Sequence, residues 1–591
     1  MGEVSIQEKV LRSSICHTSI RDHYVILVPE SGIFMAGQFK FQCLYGDVDV
    51  SGFKAEGATY DPEGFHYVAV HNMGNVPILF KPYKAVKLNM ELLKERLKAV
   101  MESVSDEITQ NITSYGGSIA VLLVNVKIDF SVSYLMDRLG DIFRPTDRYK
   151  RVRIAREAYI VYEHLNNMKV WTYPEVTIDE SQLSGIINKV KQNRWRETIV
   201  LTGAKGVGKS TIGRFLLNKF VKLGRPLYLY DGDLGQAELT PMGCLSINRI
   251  TKPIFSLPFL HQPTYFEDEC IFMGSLSPGS EPHVYRKLTH YLVHRLESLI
   301  ESDAILIVNT MGWIDGLGRD LNLELIASVR PTVILNFDGP TTFNLRDPRI
   351  PDSTHIYKYC PPSRPNFKSS QDVTAPAWRD YTMTGYLANC LNDEKLGKLE
   401  INRTLANVMA RQVSFNRVGI FIHPERGRIA ESMILNALNC SVVALCKLVY
   451  QQEGNKVNTV RVNQDPSLPP ILYPNPLDPP MLRCFGFGLI RSISPELKRY
   501  YVITPVPAEV CSQVEVFALG DRINTPKYVF DKDDPDAPYL VRPRPGHQAS
   551  RERTELIRKL YDGFSNITAL KASNRSRKRQ GSPGPSTKRF K

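Results

Sequence analysis

The chain has 591 residues, more than one hydrophobic core usually serves, and its 43% apolar and 23% charged composition excludes global disorder. Lysine and arginine number 74 against 61 aspartate and glutamate, a net +13, yet residues 571–591 hold eight of those basic residues and no acidic one. The +5 left for the rest of the chain is too small a bias to establish nucleic-acid binding by itself.

There is no run of eighteen uncharged apolar residues, and the start MGEVSIQEKV lacks an apolar signal core. The ten cysteines are scattered, Cys440 and Cys446 being the nearest pair, which gives neither CxxC zinc spacing nor a dense disulfide framework. These features predict an intracellular protein in a reducing compartment with no membrane association.

From Tyr24 to about Val70, short alternating apolar runs broken by glycines predict a small all-β unit. A charged helix follows from Met90, and SIAVLLVNVKI from Ser118 reads as a further strand. These predict an N-terminal β-rich domain over 1–180.

The middle of the chain changes character. ETIVLTG, PLYLYDGD, SDAILIVNT and RPTVILNF are short buried strands, and KSTIGRFLLNKFVKLG after the first of them is a helix. This alternation predicts an α/β fold built on a parallel sheet. In that first helix Ile212, Phe215, Leu216 and Phe220 share one face, and Gly224 is placed to stop it. The polar, proline-bearing residues 350–378 read as an excursion from the sheet. A mixed β domain is predicted over 401–545, interrupted by DPSLPPILYPNPLDPP, whose prolines cannot sit in a central strand. Residues 546–591 form a polar, then basic, tail, and no internal repeat is evident.

Gly203, Ala204, Lys205, Gly206, Val207, Gly208, Lys209 and Ser210 match G-x-x-x-x-G-K-[ST] in full, after a strand and opening a helix. In such a loop backbone N–H groups turn toward phosphate oxygens and the helix N-terminus adds its positive end. Lys209 is expected to reach the β- and γ-phosphates, Ser210 to hold Mg²⁺, and Thr211 to complete the cradle. A second strand ends in Asp231, Gly232, Asp233, Leu234, Gly235 and Gln236, which places two carboxylates at the same sheet edge. One can order the magnesium water while the other accepts a proton from an attacking hydroxyl; alternatively only one touches the site and the other caps the turn. Nothing resembles the N-K-x-D guanine reader, so ATP is the expected nucleotide.

The loop GAKGVGKST, the run DGDLGQAELTPMGCLS, and Thr310, Gly312 and Trp313 after the strand ILIVNT together resemble the polynucleotide 5′-hydroxyl kinases. The form D-x-D-x-G-Q-x-E-x-T-P-x-G is similar to the nucleolar, ribosomal-RNA-processing branch of that family; the cleavage-and-polyadenylation branch usually reads D-V-G-Q without E-x-T-P. The likeness extends to YGDVDVSG at Tyr45 and to GLIRSI, YYVITPVPAEV and FALGDR, covering most of residues 20–525.

The resemblance implies a P-loop kinase core over 181–400 between the N-terminal β-rich and C-terminal mixed β domains. It implies ATP and Mg²⁺, RNA 5′-hydroxyl ends as substrate, a pre-rRNA endonuclease as partner, and the nucleus and nucleolus as location. It further implies that Ser210 and Asp231 hold the metal and that Asp233, then Asp231, takes the hydroxyl proton. Gln236, Thr310, Gly312 and Trp313 would grip the acceptor, Trp313 by stacking, although a tryptophan read alone is more often a core residue. The segment from Ala375 to Leu387 resembles the family's arginine-bearing lid, with Arg379 at the first arginine's place and Thr382 where the second usually stands. Read alone, Arg379 is equally an ordinary surface residue. A nucleotide-bound scaffold without turnover, and the messenger or transfer RNA branch, are the alternatives.

Overall fold

In this computed structural model the described residues run from 11 to 529, apart from 71–76, 84–88, 103–108, 111, 114–118, 128, 141, 145–148, 167–168, 172–177, 362–372, 393–404, 406–407, 427–428, 450–459, 463–467 and 475–478. All of them belong to one compact unit, residues 1–536. The basic tail lies outside the described residues.

The first region is an 11-stranded sheet organised by the long strand Ile33–Tyr45. That strand pairs antiparallel with His66–Val70, Ile78–Pro82, Ile119–Asn125 and Ala158–Asn166. Nearly every residue of Ile33–Tyr45 is buried because both its faces are covered. The helix Met90–Lys98 lays Leu93 and Leu97 on one face, beside Leu44 and Leu123. Its start is set by Asn89, whose side chain accepts from the N–H groups of Glu91 and Leu92. The all-β reading of the N-terminal stretch and the helix at Met90 are both seen.

A helix α1 (Glu180–Gln192) leads into the second sheet, which has 15 strands. Its core elements are β1 (Glu197–Thr202), α2 (Lys209–Phe220), β2 (Leu227–Asp231), β3 (Cys244–Arg249), β4 (Glu269–Phe272), α3 (Pro282–Leu299), β5 (Ile305–Asn309), α4 (Gly316–Val329), β6 (Val333–Phe337) and β7 (His355–Tyr359). The strands β7, β6, β1, β5 and β2 lie parallel in that order, with β1 central. Every residue of β1, β2, β5 and β6 is buried, as continuous apolar strands under two helical layers must be. Ile212, Phe215, Leu216 and Phe220 of α2 pack on Ile199 and Leu201 of β1, as their spacing predicted. The excursion expected over 350–378 is corrected at β7, whose HIYKY pairs with β6 as an edge strand. Its polarity reflects that edge position rather than a departure from the sheet.

Strands β3 and β4 turn the sheet antiparallel, and β4 pairs in turn with a C-terminal strand. The elements there are α5 (Ala375–Ala388), β8 (Gly419–Ile422), β9 (Val442–Leu448), β10 (Leu482–Ser494) and β11 (Val516–Leu519). The order beyond β4 is β10, β9, β11, β8, so one sheet runs across the boundary expected at residue 400. The proline-rich segment supplies only Ile471–Pro474, outside β8 and away from the centre of the sheet.

Candidate active site

The site is built at the carboxyl ends of β1, β2 and β5. The phosphate loop leaves β1 at Gly203 and enters α2 through Gly208, which adopts the left-handed conformation at φ +98° and so requires glycine. No side chain caps α2, so the N–H groups of its first turn have no protein cap and remain directed at the loop. Ser210 and Thr211 are exposed there, as are Lys205 and Gly206, while Val207 is buried against Phe337. Lys209 is buried, its Nζ donating to the carbonyls of Gly203 at 2.7 Å and Ala204 at 3.0 Å. Burial pulls its ammonium down to about 8, against the opposing charge of Asp233. This cradle of N–H groups, an exposed hydroxyl and a buried cation fits a polyphosphate with its magnesium.

The two carboxylates of the next strand have separate tasks. Asp231 is buried inside the turn: Oδ2 accepts from the Glu238 N–H at 2.7 Å, and Oδ1 from Asn309 Nδ2 at 3.1 Å and the Asp233 N–H at 3.2 Å. Burial pushes its carboxyl up to about 7. Asp231, expected as a metal ligand and reserve base, thus also holds the turn through both of its oxygens. Asp233 is only half-buried; Oδ1 accepts from the N–H groups of Gly235 at 2.9 Å and Gln236 at 3.1 Å. Its charge acts on both Lys209 and Arg379, favouring their cationic forms. Lys209, Asp233 and Arg379, 170 residues apart at the extremes, thus share one electrostatic site.

The segment after β5 closes against the loop. Gly312 passes so near that a Cβ there would lie 2.8 Å from the Lys205 Cα, which explains the glycine without invoking a ligand. Thr310, expected to contact phosphate, is buried and turns its hydroxyl inward to the Leu201 carbonyl at 2.8 Å, bracing β5 against β1. Trp313 is different. Its carbonyl accepts from Asn322 Nδ2 at 3.0 Å, its indole lies across Gly318, and 38% of the residue is exposed. A partly exposed indole of this kind is able to stack on a base. Gln236 is half-buried and tied to Asp233 through its backbone.

Helix α5 begins at Thr374, whose hydroxyl accepts from the Ala377 N–H, with Pro376 in its first turn. Arg379 is partly buried near the start of the helix, and burial lowers its guanidinium while Asp380 and Asp233 oppose the shift. The second half of the helix is anchored in the core. Met383, Tyr386 and Leu387 are fully buried, and the Tyr386 hydroxyl donates to the Thr264 carbonyl at 2.9 Å and accepts from the Phe487 N–H at 3.0 Å. Thr382, where a second arginine was expected, is 4% exposed and bonds back to the Trp378 carbonyl at 3.0 Å. That position faces the core and offers no room for a guanidinium.

Two groupings escaped the sequence. Cys244, Cys270 and Cys484 bring their sulfurs within 4.8 Å of one another in the core, and burial pushes the Cys244 and Cys270 thiols well up. They come from β3, β4 and β10, neighbours in the sheet that no sequence spacing reveals. The second is a buried cluster of Glu238, Arg214 and His261; its only sequence signal was the glutamate of the E-x-T-P run.

Comparison with known proteins follows the same outline. A family model described as the mRNA cleavage and polyadenylation factor CLP1 P-loop matches residues 203–389, from the first glycine of the loop to just past the end of α5. The polynucleotide 5′-hydroxyl-kinase nol-9 of Caenorhabditis elegans is 24% identical over 588 residues, covering 96% of this chain and 100% of that protein. Polynucleotide 5′-hydroxyl-kinase NOL9 of Homo sapiens is 24% identical over 544 residues, covering 84% of this chain and 74% of the relative. That of Bos taurus is 28% identical over 373 residues, 56% and 50% of the two chains. With the phosphate loop, the Asp233 turn and the Trp313 segment assembled at one sheet edge, the chain is similar over most of its length to the nol-9-type polynucleotide 5′-hydroxyl-kinases and carries a P-loop region of the CLP1 type.

Proposed function

We propose that this protein transfers the γ-phosphoryl group of ATP to the 5′-hydroxyl of RNA, and that its natural acceptors are ends generated during pre-rRNA internal transcribed spacer processing. The observation that supports this most directly is the phosphate loop at the strand-to-helix junction, with Lys209 held at its base and the half-exposed Asp233 carboxylate near enough for its charge to act on Lys209 and Arg379.

The loop N–H groups and Lys209 hold the β- and γ-phosphates. Ser210 is the donor best placed for Mg²⁺, which would neutralise phosphate charge. The Trp313 ring supports the terminal base and so sets the 5′-hydroxyl in line with the γ-phosphorus. As the bond from the 5′-oxygen to phosphorus forms and the bond to the β-phosphate oxygen breaks, the hydroxyl proton passes to Asp233. The loose transition state spreads charge onto oxygens that Lys209 and Arg379 oppose. The pre-rRNA assignment draws on the nucleolar names of the relatives and on the basic tail, whose Arg577, Lys578, Arg579, Lys588 and Arg589 form import-type clusters. With it go a nucleolar location and an endonuclease partner that leaves 5′-hydroxyl ends.

Transfer of label from γ-labelled ATP to 5′-hydroxyl RNA tests the activity. The wild-type chain should label the RNA, and Lys209→Ala should reduce the rate by at least about a hundredfold while remaining folded. A wild type that binds ATP and labels nothing would establish a nucleotide-bound scaffold instead.

A further inference from the structure

The glutamate of the E-x-T-P run has no part in the chemistry above, yet it lies where three elements of the site meet. We infer that Glu238 is a positioning residue for phosphoryl transfer, its carboxylate and backbone joining the elements that carry Lys209, Asp233 and Arg379. The inference rests on the proposed kinase reaction.

The first connection runs to the Asp233 turn. The Glu238 N–H donates to Asp231 Oδ2 at 2.7 Å, and Oδ1 of the same aspartate accepts from the Asp233 N–H at 3.2 Å. The second runs to the phosphate loop. Glu238 Oε1 accepts from Arg214 Nη1 at 3.1 Å, and Arg214 stands on α2 one turn beyond Ser210 and five residues beyond Lys209. Because α2 is rigid, a tether at Arg214 sets the height and rotation of its first turn.

The third connection runs toward Arg379. His261 Nε2 lies 3.2 Å from Glu238 Oε1 and 3.0 Å from the Glu238 carbonyl, while its Nδ1 meets Ser256 Oγ at 3.1 Å. Gln262 Nε2 donates to the same carbonyl at 3.0 Å. This fixes the segment 256–262, whose Phe259 meets the Trp378 ring at 5.5 Å and the Tyr381 ring at 6.0 Å, edge to face. Those two residues flank Arg379 and Asp380 on α5. Glu238 therefore has a branch toward each of the three reacting side chains, from its N–H to the Asp233 turn, from its carboxylate to α2, and from its carboxylate and carbonyl to the segment packed on α5.

Glu238 is buried, with 6% of its side chain exposed, so it touches neither nucleotide nor acceptor. Burial raises its carboxyl, but Arg214 and His261 outweigh that and leave it below the usual carboxylate range, hence ionised at neutral pH. A buried anion between two donors has little freedom to move, because any displacement leaves Arg214 or His261 unpaired in a low-dielectric site. Displacements of about 1 Å in reacting groups cost roughly a hundredfold in rate, so this clamp acts on kcat rather than on ATP affinity.

The test uses the full chain. Glu238→Gln keeps the shape and one acceptor oxygen but removes the charge. Its kcat for labelling 5′-hydroxyl RNA should fall about 30-fold, with KM for ATP within about threefold and the folded fraction at assay temperature unchanged by circular dichroism. Arg214→Lys keeps the charge without the planar donor geometry and should lower kcat about fivefold. In the double variant the losses should not multiply, because both act through one contact. A wild type that transfers phosphate together with a Glu238→Gln kcat within threefold of it overturns the inference alone; so does a kcat loss matched by loss of ATP affinity or of folded protein. If Glu238→Gln fails to fold, an unchanged kcat in Arg214→Lys overturns the inference and a fall at constant KM supports it. A wild type that transfers nothing overturns the proposed function and this inference with it.

Discussion

The phosphate loop and helix α5 each carry a cation that feels the charge of Asp233, but they are held in place differently. The loop is a contiguous run at a strand-to-helix junction, and its geometry follows from residues that are neighbours in the chain: Gly208 at positive φ, Lys209 folding back on Gly203 and Ala204. Helix α5 has no such local device at Arg379. Its position is fixed by partners far along the chain, Thr264 on one side and Phe487, 101 residues away, on the other side of the Tyr386 hydroxyl. The loop can be identified from eight residues. The arginine is suggested by the resemblance of its segment, but its position follows only once the C-terminal strands have been placed.

This difference predicts how each region fails. Arg379→Ala should lower kcat by about a thousandfold or more with ATP affinity nearly unchanged, since a cation aimed at the transferring group acts mainly in the transition state. Trp378→Ala removes the ring that packs on Phe259 and should act on stability, by about 3 kcal/mol, with a much smaller effect on kcat in the folded fraction. Single-turnover rates and thermal melts of the two variants check this. If the arginine change costs less than about tenfold, α5 supplies no catalytic cation.

The same contrast explains what was legible in the sequence. The parallel strands, the one-sided helix α2 and the loop follow from periodicity and from residues adjacent in the chain, and they stand where expected. Asp231 could not be separated from Asp233 by sequence, because the distinction depends on Asn309, a strand away, filling one of its oxygens. Thr310 is placed in the site by the family resemblance alone; that its hydroxyl also meets the Leu201 carbonyl, 109 residues earlier, no local pattern shows. Strand β7 was missed because an exposed edge strand carries none of the apolar alternation that marks a strand. The Asp231 and Thr310 hydrogen bonds are long-range contacts that no local pattern carries, whereas β7 lacked the local pattern itself.

Thr382 sharpens the point about α5. By family pattern, restoring an arginine at 382 should help; by structure, it places a charged side chain where the threonine is buried and bonded to the Trp378 carbonyl. Thr382→Arg should therefore destabilise the fold by roughly 3 kcal/mol or more, through burial of an unpaired charge and overpacking. Its kcat in the folded fraction should not exceed that of the wild type. A thermal melt within a degree or two of the wild type would mean that the helix can rotate, and the anchored description of α5 would fall.

The smallest effect concerns the loop, and it follows from Lys209. Burial lowers its ammonium from 10.5 to about 8, although Asp233 opposes the shift. Phosphate binds the charged form, so the ATP complex holds this proton more tightly than the free protein does. Affinity is then insensitive to this group below about pH 7 and falls as pH rises through 8, approaching tenfold per pH unit. Stability of the unliganded fold moves the other way. In the window from about 8 to 10.5 the unfolded chain binds more protons than the folded one, so raising pH there stabilises the empty protein. Calorimetry at pH 8 in two buffers of different ionisation heat should show uptake of about half a proton per ATP bound. Lys209→Arg should show none, since a guanidinium stays charged throughout. An equal and negligible uptake in both proteins would mean that the Gly203 and Ala204 carbonyls keep the lysine fully charged, and that its burial imposes no penalty for the nucleotide to relieve.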